Sequence, residues 1–133
     1  MGTISERQCK RNLLTREKGI LAEQLACEYL QRKGLILVDK NFRVKCGEID
    51  LIMRTSSILV FVEVRYRKNN YYGDGVESID WRKQQRIIRA AQIYSFNSIL
   101  AKKLPSRFDV VVLSGNLERP SIEWIEDAFR LEN

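Results

Sequence analysis

The chain has 133 residues, which is enough for one hydrophobic core and too few for two. Hydrophobic residues make up 44% and charged residues 30%, a balance typical of a folded globular protein and not of a disordered one. There are 23 Lys and Arg against 17 Asp and Glu, a net charge of +6. We therefore expect an anionic partner, with nucleic acid ahead of a membrane because no basic amphipathic stretch stands out.

The cysteine and histidine content argues against several kinds of site. Histidine is absent, and the three cysteines, Cys9, Cys27 and Cys46, form no Cys-x-x-Cys pair. A zinc site and a histidine-based catalytic triad are therefore not expected. Unpaired cysteines indicate a reducing compartment, and no membrane-length apolar run or signal peptide is visible, so the sequence predicts a cytoplasmic protein.

The N-terminal part of the sequence predicts a flexible terminus followed by a helix. Residues 1–14 are polar and basic without clear periodicity, as expected for a flexible end or, alternatively, for a basic arm that contacts phosphates. Thr15 is a good N-cap for a helix that runs to about Lys33. Glu23 lies beside the apolar stripe of this helix, a position usual for a rim residue with its carboxylate in water.

Several strands are predicted after this helix. Residues 35–45 alternate imperfectly and predict a strand with a kink near Asp39, and Gly47 then permits a turn or bulge into the next strand. Residues 108–113 form a nearly continuous apolar run, as in a central strand covered on both faces. Residues 121–125 alternate like an edge strand.

Two apolar runs on either side of Ser56-Ser57 predict a β-hairpin. If these two serines form the turn, the pairing of the strands follows. Because side chains alternate between faces along a strand, alternate pairs share one face. The predicted pairs on that face are Ile52 with Phe61, Asp50 with Glu63, and Glu48 with Arg65.

The opposed acids on this face require a counter-charge. Asp50 and Glu63 repel when they are directly opposite and would destabilise the sheet. A hard divalent cation bound through oxygen atoms would offset the repulsion, and so would a neighbouring Arg or Lys. In the purely structural alternative, Glu48 and Arg65 form a surface ion pair worth at most about 1 kcal/mol, and the two acids are accidental neighbours.

A second helix is predicted to begin at Ser78 or Asp80 and to run to about Leu100. Its N-terminal half carries cations three and four residues apart, a basic stripe that is either a solvated face or a contact for phosphates. The loop before it is basic and aromatic, and its Arg67 and Lys68 are candidate phosphate contacts. The cations of the helix are Arg82, Lys83, Arg86 and Arg89.

The order of elements and the acids of the hairpin resemble the restriction-endonuclease-like nuclease superfamily, whose metal motif is an Asp followed on the next strand by acid-x-Lys. The order helix, three strands, helix, two strands predicts one α/β (α+β) domain over residues 15–133, with a mixed sheet flanked by helices. More narrowly, the chain resembles the YraN-like family of predicted bacterial endonucleases, related to archaeal-type Holliday junction resolvases, over roughly residues 17–130. The resemblance is carried by Gly19, 22–23, 47–52, 60–64, Lys83, 90–91, 107–110 and 127–129.

This resemblance implies a role for each residue that matches the motif. Asp50 and Glu63 would ligate Mg²⁺ or Mn²⁺, helped by the Val64 carbonyl and by water. Glu23 would reach the same site from the first helix, directly or through water. DNA would be the partner, with Arg67, Lys68, Arg82, Arg86 and Arg89 as contacts.

One position departs from the motif and leaves two classes of function open. Lysine is expected at position 65, but this chain has Arg65, a larger group that stays protonated and cannot act as a general base. Lys83 is the alternative source of a catalytic cation. The chain is then either a metal-dependent endonuclease for branched or structured DNA, a task that suits a two-fold homodimer, or a non-catalytic DNA-binding protein on a nuclease fold. An interaction scaffold with an incidental basic face is a third, weaker interpretation.

Overall fold

A five-stranded sheet organises the protein, and its strands lie side by side in the order in which they occur along the chain. The structure, a computed structural model, describes the backbone of residues 4–68 and 79–131 and the side chains of residues 15–68 and 79–131. The strands are β1 (Ile36–Val44), β2 (Gly47–Arg54), β3 (Leu59–Arg67), β4 (Ser106–Ser114) and β5 (Ser121–Phe129), and the helices are α1 (Ile4–Arg32), α2 (Trp81–Phe96) and α3 (Ile99–Lys103).

The pairing of the strands confirms the predicted mixed sheet. Strands β3 and β4 are parallel, with α2 and α3 between them in sequence, and all other neighbours are antiparallel. This arrangement is compatible with a restriction-endonuclease-like core. The hairpin has the predicted register, with Ile52 opposite Phe61 and Arg54 opposite Leu59. The predicted kink near Asp39 is also present, as a register shift between Leu37 and Asp39.

Both faces of the sheet are covered by helices. Helix α1 packs Ala22, Ala26 and Leu30 on one side, here called the α1 face. Helix α2 packs Ile87 and Ile88 on the other side, the α2 face. Because β4 lies between β3 and β5 and is covered on both faces, its long apolar run is buried, as predicted. No helix within the described part of the chain is long and apolar enough to span a membrane.

The two long helices differ from prediction at their ends. The α1 backbone begins at Ile4, so the predicted cap at Thr15 is wrong and residues 4–14 are helical where a flexible terminus was predicted. Those residues contain no Gly or Pro, and their poor apolar periodicity hid a helix that propensity allows. Asp80 does cap α2, but the helix ends at Phe96 and not near Leu100. The chain restarts as α3 because the Ser98 hydroxyl accepts a hydrogen bond from the Ala101 N–H, a new N-cap.

Gly47 is the point at which α2 comes closest to the sheet. A Cβ atom at this position would lie 2.1 Å from the Arg86 carbonyl oxygen and 2.7 Å from the Arg86 carbonyl carbon. Both are backbone atoms, which cannot turn aside as a flexible side chain can. The absence of a side chain at position 47 therefore sets how closely the N-terminal half of α2 packs on β2.

We expect the substitution Gly47→Ala to lower the free energy of unfolding by about 1–3 kcal/mol, because the added methyl group overpacks a backbone contact. Urea unfolding followed by circular dichroism measures the change. Gly19→Ala is the matched control, since a Cβ there meets nothing within 4 Å. In the interior of α1 that replacement should leave stability unchanged or raise it by up to about 1 kcal/mol. Equal stabilities of Gly47→Ala and the wild type would contradict the close approach.

Candidate functional site

The alternation of side chains breaks where β1 and β2 pass Asn41 and Asp50. Leu51 packs on the α1 face, whereas Ile49 and Ile52 both pack on the α2 face, so the regular alternation is interrupted between Ile49 and Ile52. Asn41 lies opposite Asp50, between the paired residues Lys40 and Phe42, and has a positive φ of 53°. The left-handed backbone tolerated by Asn twists both strands at this pair. Asp50 thereby leaves the regular ladder.

The Asp50 carboxylate takes the place of a main-chain partner for β3. The ladder between β2 and β3 stops at Leu51 and Val62. Beyond it, the Val64 N–H donates to Asp50 Oδ2 at 2.9 Å. The Asp50 side chain thus accepts the hydrogen bond of a backbone N–H that lies beyond the end of the ladder. The predicted closeness of Asp50 and Glu63 is present, since a hydrogen bond joins their carboxyl groups.

Glu63 is the most enclosed acid of this group, with 3% of its surface exposed. Lys83 Nζ lies 2.9 Å from Glu63 Oε1, and Arg65 Nη1 lies 4.0 Å from the same oxygen. The Lys83 side chain reaches Glu63 from the first turn of α2. That turn is held in place because the Lys83 N–H donates to Asp80 Oδ1 at 2.8 Å. Lys83 is therefore the cation in closest contact with Glu63.

Burial controls the protonation of the two carboxyl groups. Burial first, and the neighbouring Asp50 second, raise the pKa of Glu63 to about 7, although Lys83 acts in the opposite direction. Burial also raises the pKa of Asp50, against the stabilising Val64 hydrogen bond. Both shifts have the same direction, so burial opposes the simultaneous ionisation of the two carboxyl groups in the absence of a further cation.

Glu23 approaches Asp50 from the α1 face. Burial and the charge of Asp50 raise its pKa, and a hydrogen bond with the Asn41 side chain opposes that effect. Among the side chains that the structure describes, no three acidic or cysteine residues form a single cluster able to hold a metal ion. The acids are arranged as a close pair, Asp50 and Glu63, with Glu23 beside Asp50. Direct ligation by Glu23 stays a prediction.

This arrangement suits a hard divalent cation. Mg²⁺ is commonly held by one or two carboxylates, with water and substrate phosphate oxygens completing its shell. The Asp50–Glu63 pair offers that number of carboxylates at a site where burial penalises two uncompensated charges. A bound cation would favour the ionised form of both carboxyl groups. The donor set therefore fits Mg²⁺ or Mn²⁺, whereas Zn²⁺ would favour nitrogen and sulfur ligands, which neither member of this pair supplies.

The predicted pair of Glu48 with Arg65 is wrong. Glu48 Oε2 lies 3.5 Å from Arg43 Nε, and the two residues are directly opposite each other on β1 and β2. The physical reason is the end of the β2–β3 ladder at Leu51. Beyond that point β2 remains paired with β1 alone, so the side chain of Glu48 meets its β1 neighbour.

The predicted DNA contacts fall into separate groups. Arg82 and Arg89 are exposed on α2 and Arg86 is exposed beside them, as a solvated or phosphate-binding stripe requires, while Lys83 turns inward to Glu63. Arg67 is half-buried at the end of β3. Lys68 is exposed beside Glu17 and Tyr66, near α1 and away from the α2 arginines. The rest of that predicted loop, residues 69–78, lies outside the described residues.

Two polar residues that shape the sheet were missed by sequence reasoning. Asn41 holds Glu23 and twists β1, and the signal that could have found it is an Asn inside an otherwise regular strand. Asp109, within the apolar run of β4, is 0% exposed. Its carboxylate accepts hydrogen bonds from the Arg107 guanidinium, the Trp124 indole N–H at 2.9 Å and the Asp127 N–H at 2.9 Å. Asp109 therefore joins β4 to β5.

For the metal-free protein in EDTA, we expect the free energy of unfolding to fall as the pH rises from about 4.5 to about 7. In that range the native state keeps the Glu63 proton that the unfolded state releases, so rising pH favours unfolding. Glu63 alone accounts for about 3 kcal/mol or less. The variant Glu63→Gln should flatten the decline, whereas the control Glu123→Gln, on exposed β5 surface, should leave it unchanged. Superimposable profiles for Glu63→Gln and wild type would contradict the shifted pKa.

Comparison with known proteins places the chain in a family. Residues 22–113 match the family described as "Uncharacterised protein family UPF0102". A UPF0102 protein of Nitrosococcus oceani is 48% identical over 118 residues, covering 89% of this chain and 95% of the relative. A UPF0102 protein of Legionella pneumophila is 47% identical, with 87% and 97% covered, and one of Xanthomonas euvesicatoria is 44% identical, with 88% and 94% covered. The YraN-like resemblance is thus confirmed, and the chain belongs to the uncharacterised protein family UPF0102.

Proposed function

We propose that this protein is a metal-dependent endonuclease that hydrolyses phosphodiester bonds in DNA, with branched or otherwise structured DNA as its substrate class. The observation that carries the proposal is the Asp50–Glu63 pair, two neighbouring acids with the Lys83 ammonium 2.9 Å from Glu63. Two acids are kept together at a cost in desolvation, next to a cation on a helix whose exposed face is basic. A DNA-processing role also fits the predicted cytoplasmic location.

Asp50 and Glu63 would hold Mg²⁺ or Mn²⁺, with the Val64 carbonyl and Glu23 as further oxygen donors. When bound, the metal would supply Lewis-acid polarisation of a phosphate and a water of lowered pKa. Asp50 is oriented for this task because the Val64 N–H fixes one of its oxygens. The carboxylate has lone pairs for a further partner.

Lys83 is better placed than Arg65 to stabilise negative charge on a phosphate bound at this pair. Its ammonium contacts Glu63 at 2.9 Å, against 4.0 Å for the Arg65 guanidinium. Its ammonium would supply positive charge next to a phosphate bound at the pair. Arg65, on the same strand as Glu63, would then bind a second phosphate oxygen or position the substrate.

The exposed arginines of α2 would hold the DNA backbone. Arg82, Arg86 and Arg89 lie on the same helix as Lys83, so a duplex bound along that face would bring a phosphate near the acid pair. A branched substrate has two-fold related arms, which suits the homodimer predicted from the resemblance. Analytical sedimentation of the protein with and without a junction substrate would test for the homodimer.

The alternative function is DNA binding without catalysis, and one observation favours it. The Lys83–Glu63 ion pair already supplies a positive charge within the site, so the acids have a partner that needs no metal. Together with Arg65 at the motif's lysine position, this is the arrangement of a nuclease fold that only binds. The two functions differ in a single measurable property, cleavage.

Cleavage of a labelled four-way junction in Mg²⁺ or Mn²⁺ should separate the roles of the two cations. We expect Lys83→Ala and Asp50→Ala to reduce the rate about 100-fold or more, since each removes a charge or a ligand from the reacting phosphate. Arg65→Lys should change the rate little. The control Arg119→Ala, exposed in the β4–β5 turn, should leave it unchanged, with folding of all variants verified by circular dichroism.

Titration calorimetry of Mn²⁺ into wild type and Asp50→Ala provides an independent measurement of the metal site. Binding to wild type that is lost in Asp50→Ala is the expected result. If wild type cleaves no junction, flap or single strand in either metal while still binding them, the non-catalytic alternative is correct.

DNA affinity should fall steeply with salt concentration, because each phosphate neutralised by an arginine releases condensed counterions. The slope of log K against log[salt] is about −0.9 for each phosphate contacted on duplex DNA. Reversing two charges in Arg86→Glu/Arg89→Glu should weaken binding and make the slope shallower by about 2. The control Arg32→Glu/Lys33→Glu makes the same charge change on exposed positions at the end of α1 and should have a smaller effect. Equal effects of the two double variants would show that only net charge matters.

A further inference from the structure

The exposed face of α2 changes from basic to apolar along its length. Arg82, Arg86 and Arg89 are followed at the same helical spacing by Ile93 and Phe96, so all five lie on one face. Phe96, at the last position of the helix, is 79% exposed. At 1.5 Å per residue it stands about 20 Å along the helix from Lys83. A DNA backbone that follows the arginines from the acid pair would therefore reach Phe96.

The surroundings of Phe96 are positively charged. Lys102 Nζ of α3 lies 5.9 Å from the centroid of the Phe96 ring. Arg89 and Ile93 line a shallow depression together with Phe96. Large exposed apolar side chains are common on protein surfaces as isolated residues, but an exposed aromatic ring with cations nearby matches the composition of surfaces that bind single-stranded nucleic acid.

A groove of about 940 Å³ opens beside Phe96, between α2, α3 and the end of β5. Its lining includes Phe108 and Phe129, whose rings are stacked with centroids 5.0 Å apart. Lys102 and Arg130 also line it, and Arg130 forms an ion pair with Asp127. The groove has room for a nucleotide, with apolar surface for a base and cations for its phosphate.

We infer that Phe96 and the adjoining groove bind an unpaired nucleobase of the DNA whose backbone the α2 arginines hold. This inference rests on the proposed DNA substrate and narrows that substrate to DNA with an unpaired base. The continuity of the basic face into the aromatic one favours nucleic acid over a protein partner, because Lys102 lies near the Phe96 ring and Arg89 lines the same depression as Phe96. A separation of about 20 Å corresponds to about six nucleotides at about 3.4 Å per step. The substrate then has an unpaired base about six nucleotides from the phosphate at the acid pair.

The test is fluorescence anisotropy with the full chain in EDTA, where binding is measured without cleavage. One probe is a duplex with a single-stranded thymidine tail, and the matched probe has an abasic tail of equal length and charge. We expect wild type to bind the thymidine tail about fivefold to a hundredfold more tightly than the abasic tail, the range expected for stacking one base. Phe96→Ala should abolish that preference, and Phe96→Trp should preserve it.

Two further variants distinguish the aromatic ring from exposed apolar surface in general. Ile99→Ala removes an equally exposed apolar side chain, outside the groove lining, and should keep the preference. Phe96→Leu keeps an apolar side chain but removes the aromatic face, so it should lose most of the preference. Because Phe96 and Ile99 are exposed, none of these changes should affect folding, which circular dichroism verifies.

Several outcomes would overturn the inference. These are equal affinity of wild type for both tails, an unchanged preference in Phe96→Ala, or a full preference in Phe96→Leu. Loss of a dimer in Phe96→Ala, seen by sedimentation, with the tail preference intact would show that the patch joins two copies of the chain. If wild type binds a duplex without a tail but binds the thymidine tail no more tightly than the abasic tail, only this inference fails. If it binds no DNA of any kind, the proposed function fails with it.

Discussion

The hydrogen bond from the Val64 N–H to the Asp50 carboxylate is the contact on which the site depends. It occurs where β2 stops pairing with β3, so it replaces a main-chain bond and holds the two strands together beyond the ladder. Because Asp50 is fixed there, Glu63 on the adjacent strand meets another acid inside the protein. Gly47, three residues before Asp50, lets α2 approach closely enough for Lys83 to reach Glu63. Strand pairing, helix packing and electrostatics thus meet at one short segment.

Two kinds of buried acid in this fold can be told apart by their partners. Asp109 is fully enclosed, and guanidinium, indole and backbone N–H groups all donate to it, so its charge is satisfied without any external group. Asp50 and Glu63 instead lie beside each other, so burial and the neighbouring Asp50 raise the pKa of Glu63 although Lys83 opposes the effect. Apolar residues in their place would avoid the desolvation cost. The first arrangement satisfies the buried charge from within the fold, whereas the second keeps two acids together at a cost in desolvation.

The sequence predicted the features that follow from local periodicity and turn chemistry. A two-residue turn set the hairpin register, and the register brought Asp50 and Glu63 together. The prediction failed where tertiary packing overrides the strand period. The pairing of β2 with β3 stops at Leu51, which the pattern of a single strand does not reveal, so the sequence predicted Arg65 and not Arg43 as the partner of Glu48. The end of α2 at Phe96 was also missed. Ser98 caps a second helix there, and the apolar spacing of the sequence does not show where one helix ends and the next begins.

The position of the cation beside Glu63 distinguishes this site from the motif it resembles. A lysine two residues after the acid would extend from the same strand, so its distance from the acid would be set by the strand alone. Lys83 comes from α2, and its distance depends on the Asp80 cap and on the packing of α2 against Gly47. The distance between Lys83 and Glu63 therefore depends on the position of α2 on the sheet. DNA bound along the exposed arginines of the same helix would change that distance if it shifted the helix. Because Lys83 supplies the contact at 2.9 Å, the cation closest to Glu63 does not come from position 65, where the motif has lysine and this chain has a planar guanidinium.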